Sequence, residues 1–205
     1  MLFAEEVPAS GGGETEFADM RAAWEALDAE TKARISSPSM AAYHSSEHST
    51  FRVAGLDPAT FPGYGYDGNA PLRPLVKTHP ETGRKSIFVA SHAFQIPGVT
   101  PEDSAEIFDG LVEFACVAPR TYLHRWQPGS LVVWDNRCML HRARPYKMTE
   151  ETRRLRGTRV AGEESESGLP VPQEEGRRAL AAAVEALRRS GHDGADESLE
   201  ATRLR

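Results

Sequence analysis

Two cysteines, Cys116 and Cys138, are all that the 205 residues contain. That argues against a disulfide-stapled scaffold, and the pair reads as buried thiols in a reducing, cytoplasmic setting. A basic excess is missing too, with 24 Lys and Arg against 30 Asp and Glu for a formal net charge of -6. No basic stripe stands out from that acidic background, so no nucleic-acid partner is expected. No apolar run approaches the ~20 residues needed to cross a bilayer, and no membrane partner is expected either. The opening MLFAEEVPASGGG lacks the basic lead and long apolar stretch of a secretory signal. Internal repeats are absent. What is present is an ordinary globular composition, 40% hydrophobic and 26% charged, in a chain long enough to bury one real core.

Residues 2–7 read as a short strand that starts abruptly, and 8–13 (PASGGG) as a turn of residues tolerant of unusual backbone angles. A strand at 14–17 precedes a helix expected over 19–35, with Met20, Ala23, Trp24 and Leu27 at helical spacing. Residues 41–51 carry His44 and His48, and the stretch from there to residue 74 is rich in Gly and Pro and reads as a long loop or lid. Short strands are expected at 75–79 and 86–89 around Pro80-Glu81-Thr82-Gly83. Thr100-Pro101-Glu102-Asp103 then opens an amphipathic helix to 118, with Ile107, Leu111, Phe114 and Ala115 on one face. Strands follow at 122–126 and 130–134, with Pro128-Gly129 turning between them, and at 153–160. Beyond residue 162 come a polar linker, a short Ala-rich helix at 174–189 and a tail expected to be disordered. The expected division is thus a sheet-rich domain at 1–162 and an appendage at 163–205. Many short strands with few helices indicate an α+β, jelly-roll or cupin-like sheet core with flanking helices.

The chemistry concentrates in residues 134–162, WDNRCMLHRARPYKMTEETRRLRGTRVAG. It holds one histidine, His141, and an arginine twelve positions on, Arg153. Neutral imidazole is a good iron ligand, and a planar guanidinium grips a carboxylate with two parallel hydrogen bonds. A 2-histidine-1-carboxylate iron site needs three protein ligands and open positions for cosubstrate and oxygen.

Three stretches together carry a family resemblance: Gly11-Gly12-Gly13-Glu14-Thr15-Glu16-Phe17-Ala18-Asp19, then His79-Pro80-Glu81-Thr82-Gly83-Arg84-Lys85, and the block from His124-Arg125-Trp126 through residue 162. In that order they resemble the C-terminal part of the TauD/TfdA-type iron(II), 2-oxoglutarate-dependent dioxygenases. The resemblance implies His141 as the distal iron ligand, Arg153 as the 2-oxoglutarate arginine and Thr15 as the hydroxyl that helps hold the same carboxylate. It implies iron(II) as cofactor, 2-oxoglutarate as cosubstrate and a small organic molecule as substrate. Trp134 is then a wall of the metal pocket or a core tryptophan. Arg154 should point to the opposite face of its strand, although a one-residue slip would exchange it with Arg153. Sulfonate-using members carry a substrate arginine where this chain has Gly157, which argues against a small sulfonate.

The family's H-x-D pair lies upstream of its Gly-rich segment. Here the one H-x-D/E match is His79-Pro80-Glu81, which Pro80 and Gly83 turn into a hairpin expected to lie away from the metal. His44 and His48, if helical, would share one face and could bind a metal. His92 and His124 read as structural or pocket-lining. The expectation is a dioxygenase sheet core incomplete at its N-terminus, inactive as this chain for want of two iron ligands. Its strand at 2–7 would leave an open edge that invites homo-oligomers. The alternatives are a non-catalytic pseudoenzyme or interaction protein, and a cupin-type metal-binding protein using His44, His48, His79 or Glu81 with His141.

Overall fold

The computed structural model describes residues 1–55, 68–160 and 169–190. In chain order these form β1 (Leu2–Glu6), β2 (Thr15–Asp19), α1 (Met20–Ala26), α2 (Ala29–Ile35), β3 (Ala41–His44) and α3 (Ser46–Ala54). Next come β4 (Leu72–Pro74), β5 (Val76–Thr78), β6 (Lys85–Ile87), β7 (Ala93–Gln95) and α4 (Pro101–Ala115). The last are β8 (Thr121–His124), β9 (Leu131–Val132), β10 (Met139–Ala143), β11 (Arg154–Gly157) and α5 (Gln173–Arg189). The class is α+β, with small antiparallel sheets ordered β11-β1-β9, β10-β2-β8 and β4-β3-β7, and a β5-β6 pair. Much of the expected loop or lid, the linker at 161–168 and the tail from 191 lie outside the described residues.

The helix expected over 19–35 is two helices. Asp19 caps α1 by accepting from the Arg21 and Ala22 amides, Leu27 is extended, and Asp28 caps α2 by accepting from Thr31. Leu27 still packs inward, so its spacing hid a break that Asp28 announces. Thr100 caps α4 as expected, with Pro101 in the first turn. Phe108, Leu111, Val112 and Ala115 of that helix join Met20, Ala23, Ile35, Leu75, Ile87 and Ile96 in the main core. A second core gathers Tyr43, Phe51, Phe94, Leu180 and Val184. There α5 lies on β3 and α3, with the Tyr43 hydroxyl donating to Glu175 at 2.8 Å.

Two expectations are corrected by strand order. The strand at 2–7 is no open edge, because β1 lies between β11 and β9 and pairs with both. The expected route to homo-oligomers through that edge is therefore closed. Its register with β11 sets Leu2 opposite Gly157 and Glu6 opposite Arg154. Likewise the strands around Pro128-Gly129 do not form a hairpin: β8 pairs with β2, whereas β9 pairs with β1. Strand β10 had no periodic signal of its own, because its residues Met139–Ala143 alternate only weakly in polarity.

Candidate active site

Strand β2 organises the site. Residues two apart on a strand share a face, so Thr15 and Phe17 point the same way, about 7 Å apart along the chain. Register places His141 of β10 and Tyr122 of β8 on either side of Phe17, and Ala143 and His124 on either side of Thr15. One face therefore carries two cross-strand rows. His141 lies at the centre of β10. Its ring centroid is 4.8 Å from that of Trp134 and 6.2 Å from that of Phe17.

The second row builds a cationic pocket. Thr15 is 2% exposed, and its hydroxyl accepts from Trp126 Nε1 at 2.9 Å and from Arg153 Nη2 at 3.4 Å. With both lone pairs taken, the threonine O–H is left to donate. Arg153 Nε donates to the Gly13 carbonyl at 2.7 Å. The GGG turn makes that approach feasible. Gly13 has φ +67, and a Cβ there would meet Arg153 Cδ at 2.8 Å. Neighbouring Gly12, at φ +86, would set a Cβ 2.9 Å from the Pro145 carbonyl. Among the described residues Arg153 makes no ion pair, and its guanidinium donates to the Gly13 carbonyl and the Thr15 hydroxyl. Burial pulls its pKa below the usual arginine value. Arg154, one residue on, is exposed and pairs across β1 with Glu6 at 3.6 Å. The structure thus brings His141, Thr15 and Arg153 to one sheet face and turns Arg154 away. Trp126 and the Gly13 carbonyl had no reading of their own as pocket groups, although the HRW and GGG motifs contain them.

The metal end is different in kind. His141 is exposed, yet partial desolvation against its ring neighbours lowers its pKa, helped by the charges of Arg159, His92 and the N-terminal ammonium. It is therefore neutral and ligand-competent at ordinary pH. His92 is itself depressed, first by desolvation and then by Arg73 and Arg159. Among the described residues, one cluster has metal-ligating spacing, His79 with Asp135 and Cys138, and His141 is not in it. Among the described residues no group of three ligands gathers at His141, so these residues do not fit a complete iron site there. The 2-oxo acid end, in contrast, fits.

His44 and His48 do not share a helix face, because His44 ends β3 while His48 sits in α3. Both are buried. His44 is 6% exposed, with Nε2 lacking a hydrogen-bond partner. Burial, with Arg73, His92 and Lys77 nearby, pushes its pKa down to about 3. The linkage sign follows. Between that value and about 6.5 the unfolded chain binds a proton that the native ring refuses. His44 stabilises the fold fully above about pH 6.5, and that contribution falls with pH by up to about 1.4 kcal/mol per unit. Asp19 and Asp135, held below the usual carboxylate range, add their own losses only below about pH 4. We expect urea midpoints to drop between pH 7 and 5, and His44→Gln to flatten that slope. An unchanged slope in the variant would exclude His44 as its source.

Gly157 faces Leu2, and a Cβ at that position would lie 3.0 Å from Leu2 Cδ2. A larger side chain there would require the Leu2 side chain to shift. His124 lies beside Thr15 with its ring edge-on to Trp126 at 4.6 Å, and its Nε2 has no hydrogen-bond partner.

An antiparallel α+β scaffold with a strand-borne histidine beside an arginine–threonine pocket has the build of an iron- and 2-oxo-acid-dependent dioxygenase. The chain belongs to the TauD/TfdA family: the profile described as "Taurine catabolism dioxygenase TauD, TfdA family" matches residues 1–159. It is 48% identical over 166 residues to the (S)-phenoxypropionate/alpha-ketoglutarate-dioxygenase of Sphingobium herbicidovorans, covering 79% of this chain and 57% of that protein. It is 36% identical over 159 residues to the alpha-ketoglutarate-dependent 2,4-dichlorophenoxyacetate dioxygenase of Cupriavidus pinatubonensis, covering 77% of this chain and 53% of the relative. The crystal structure of AAD-2 in complex with Mn(II) and N-oxalylglycine aligns with a TM-score of 0.64 at 36% identity, over 76% of this chain and 59% of that one. The chain spans a little over half the length of these relatives. No helix among the described residues is long and apolar enough to cross a membrane.

Proposed function

We propose that this chain is the cosubstrate-binding part of an iron(II), 2-oxoglutarate-dependent dioxygenase that hydroxylates a C–H bond of a small organic acid in the cytoplasm. In this reading residues 1–162 are one part of a double-stranded β-helix, with residues 163–205 appended. One observation supports it: a partly buried Arg153 that meets no carboxylate among the described residues, seated beside the Thr15 hydroxyl, whose O–H finds no acceptor among them. Both groups are set to receive one carboxylate, and the distal carboxylate of 2-oxoglutarate has the right charge and reach. His141, on the same face, supplies one iron ligand. In this reading the other two ligands are supplied by residues other than the described ones.

The substrate reading rests on two supports. Relatives are named for phenoxypropionate and 2,4-dichlorophenoxyacetate, both aryloxy carboxylates. In this chain His92 and Arg159 are close enough to His141 to depress its pKa, and Arg73 acts on His92. That positive field suits an anionic head, while Gly157 leaves no arginine at the position used for sulfonates.

Titrating the 205-residue chain with N-oxalylglycine tests the pocket directly. Two charge-assisted hydrogen bonds, less the cost of immobilisation, put Kd on the order of 1 mM. We expect Arg153→Ala and Gly13→Ala to abolish binding at that concentration, the latter because its Cβ displaces the guanidinium. Equal binding by wild type and Arg153→Ala would end the reading. A second expectation replaces edge pairing with face contact. Phe3, Leu131 and Val133 are 40%, 59% and 64% exposed on the β1–β9 ribbon, so self-association should come through that apolar face. Leu131→Lys with Val133→Lys should lower the light-scattering mass, and an already monomeric wild type would contradict this.

A further inference from the structure

The sharpest polar cluster outside the pocket joins the turn before β10 to the β5–β6 hairpin. Asp135 Oδ1 accepts from the Arg137 amide at 2.8 Å and from its Nε at 3.0 Å, and Oδ2 accepts from Arg137 Nη2 at 2.7 Å. His79 Nε2 lies 3.0 Å from the same Oδ2. Arg137, with His79 second to it among the hydrogen bonds, holds the Asp135 carboxyl well below the usual range. An ionised carboxylate can only accept, so the proton of this contact sits on His79 Nε2. Glu81 completes the set, bridging Arg137 Nη2 at 2.9 Å and standing 3.4 Å from His79 Nδ1.

His79, Asp135 and Cys138 have the donor types of a zinc site. The charge count favours another reading. Arg137 already occupies the cation position between Asp135 and Glu81, and His79 Nε2 is taken up by Asp135, while the buried Nδ1 has no hydrogen-bond partner among the described residues.

What it does is fix a turn. The Arg137 carbonyl accepts from Ser86 Oγ at 3.1 Å, with Ser86 fully buried. The Cys138 carbonyl accepts from the Met20 amide at 3.0 Å. Hairpin and helix α1 therefore grip residues 135–138 from two sides. Trp134, whose ring packs on His141, opens that turn, and β10 leaves it at Met139, two residues before His141. Small rotations in the turn would be passed to both rings.

We propose that His79 and Asp135 are positioning residues for His141, latching the 134–138 turn so that the Trp134 ring and the imidazole keep their mutual orientation. This rests on reading His141 as a metal ligand, but the test does not. In the 205-residue chain, imidazole and indole resonances report the His141–Trp134 contact, and amide exchange reports the turn. Losing a hydrogen bond to a charged group should speed exchange over 135–141 by about tenfold or more in His79→Ala. The Trp134–His141 ring contact should weaken, while exchange in α4 stays as it was. His79→Gln keeps a donor at that reach and should restore both signals. Asp135→Asn, which preserves shape but not charge, should fall between. Unaltered ring contacts and turn exchange in His79→Ala would overturn the latch, as would equal losses in the Ala and Gln variants spread over the whole fold. Stoichiometric zinc binding lost in His79→Ala would replace it with a metal site. N-oxalylglycine binding, measured in the same samples, reads the Arg153 pocket separately, so failure of one proposal leaves the other to be judged on its own signal.

Discussion

Joining a segment that carries an H-x-D pair in frame ahead of Met1 is expected to raise succinate formation well above that of the 205-residue chain. His141→Ala should then abolish that activity. Among the described residues His141 belongs to no group of three or more potential metal ligands, so under the proposed reading it gives iron one imidazole, short of a full ligand set. One ligand cannot hold iron(II) against water, and outer contacts such as Trp134 orient a ligand without replacing its partners. Removing an outer-shell partner typically costs about 10–100-fold, so losing a direct ligand should cost more. The pH dependence has a stated direction as well. With its pKa depressed, His141 stays unprotonated to below its ordinary value, so ligation should survive mild acidity better than a fully solvated histidine would. Iron- and oxygen-dependent succinate formation by the unjoined chain would refute the single-ligand reading outright.

How much of this was legible in the residues can be argued position by position. The motifs named His141, Arg153 and Thr15 as candidates, but what places them lies outside the motifs. The sheet order β10-β2-β8 puts Thr15 and His141 on a common face, whereas Arg153 precedes β11 of another sheet and reaches Thr15 with its side chain. Register settled what spacing left open: Arg154 begins β11 opposite Glu6, so its side chain leaves the pocket. What spacing could not give was partnership between distant strands. That β1 is central and not an edge depends on β9 and β11, more than 120 residues away in sequence by the pairing of Leu2 with Val132 and Gly157. The same limit hid the closeness of His92, Arg73 and Arg159 to the metal end, and the meeting of His79 with Asp135. Each of those contacts joins segments with no shared periodicity. The break at Leu27 was different. Asp28 was a visible cap signal that an unbroken apolar spacing outweighed.

Arg153→Ala in the joined enzyme is expected to raise the 2-oxoglutarate requirement by about a hundredfold or more, since two charge-assisted hydrogen bonds of about 1.5–3 kcal/mol each are lost. The effect should fall on KM for 2-oxoglutarate more than on kcat, because the guanidinium grips the end of the cosubstrate remote from the reacting centre. Arg153→Lys should rescue little: a lysine cannot donate to the Gly13 carbonyl and to a carboxylate from one planar fork. Thr15→Val should act in the same direction but less strongly, removing one O–H donor while leaving the charge. It also strands the Trp126 indole N–H, which now donates to Thr15 at 2.9 Å, so part of its cost will appear as lost stability. Arg154→Ala is the internal control. That side chain is 65% exposed and its partner Glu6 is 3.6 Å away, a surface pair whose loss should change KM by no more than about twofold. Steady-state curves against 2-oxoglutarate at saturating substrate separate the four variants. Should Arg154→Ala be the damaging change and Arg153→Ala the silent one, the register of β11 against β1 would be off by one residue, and the clamp would have to be rebuilt around the other arginine.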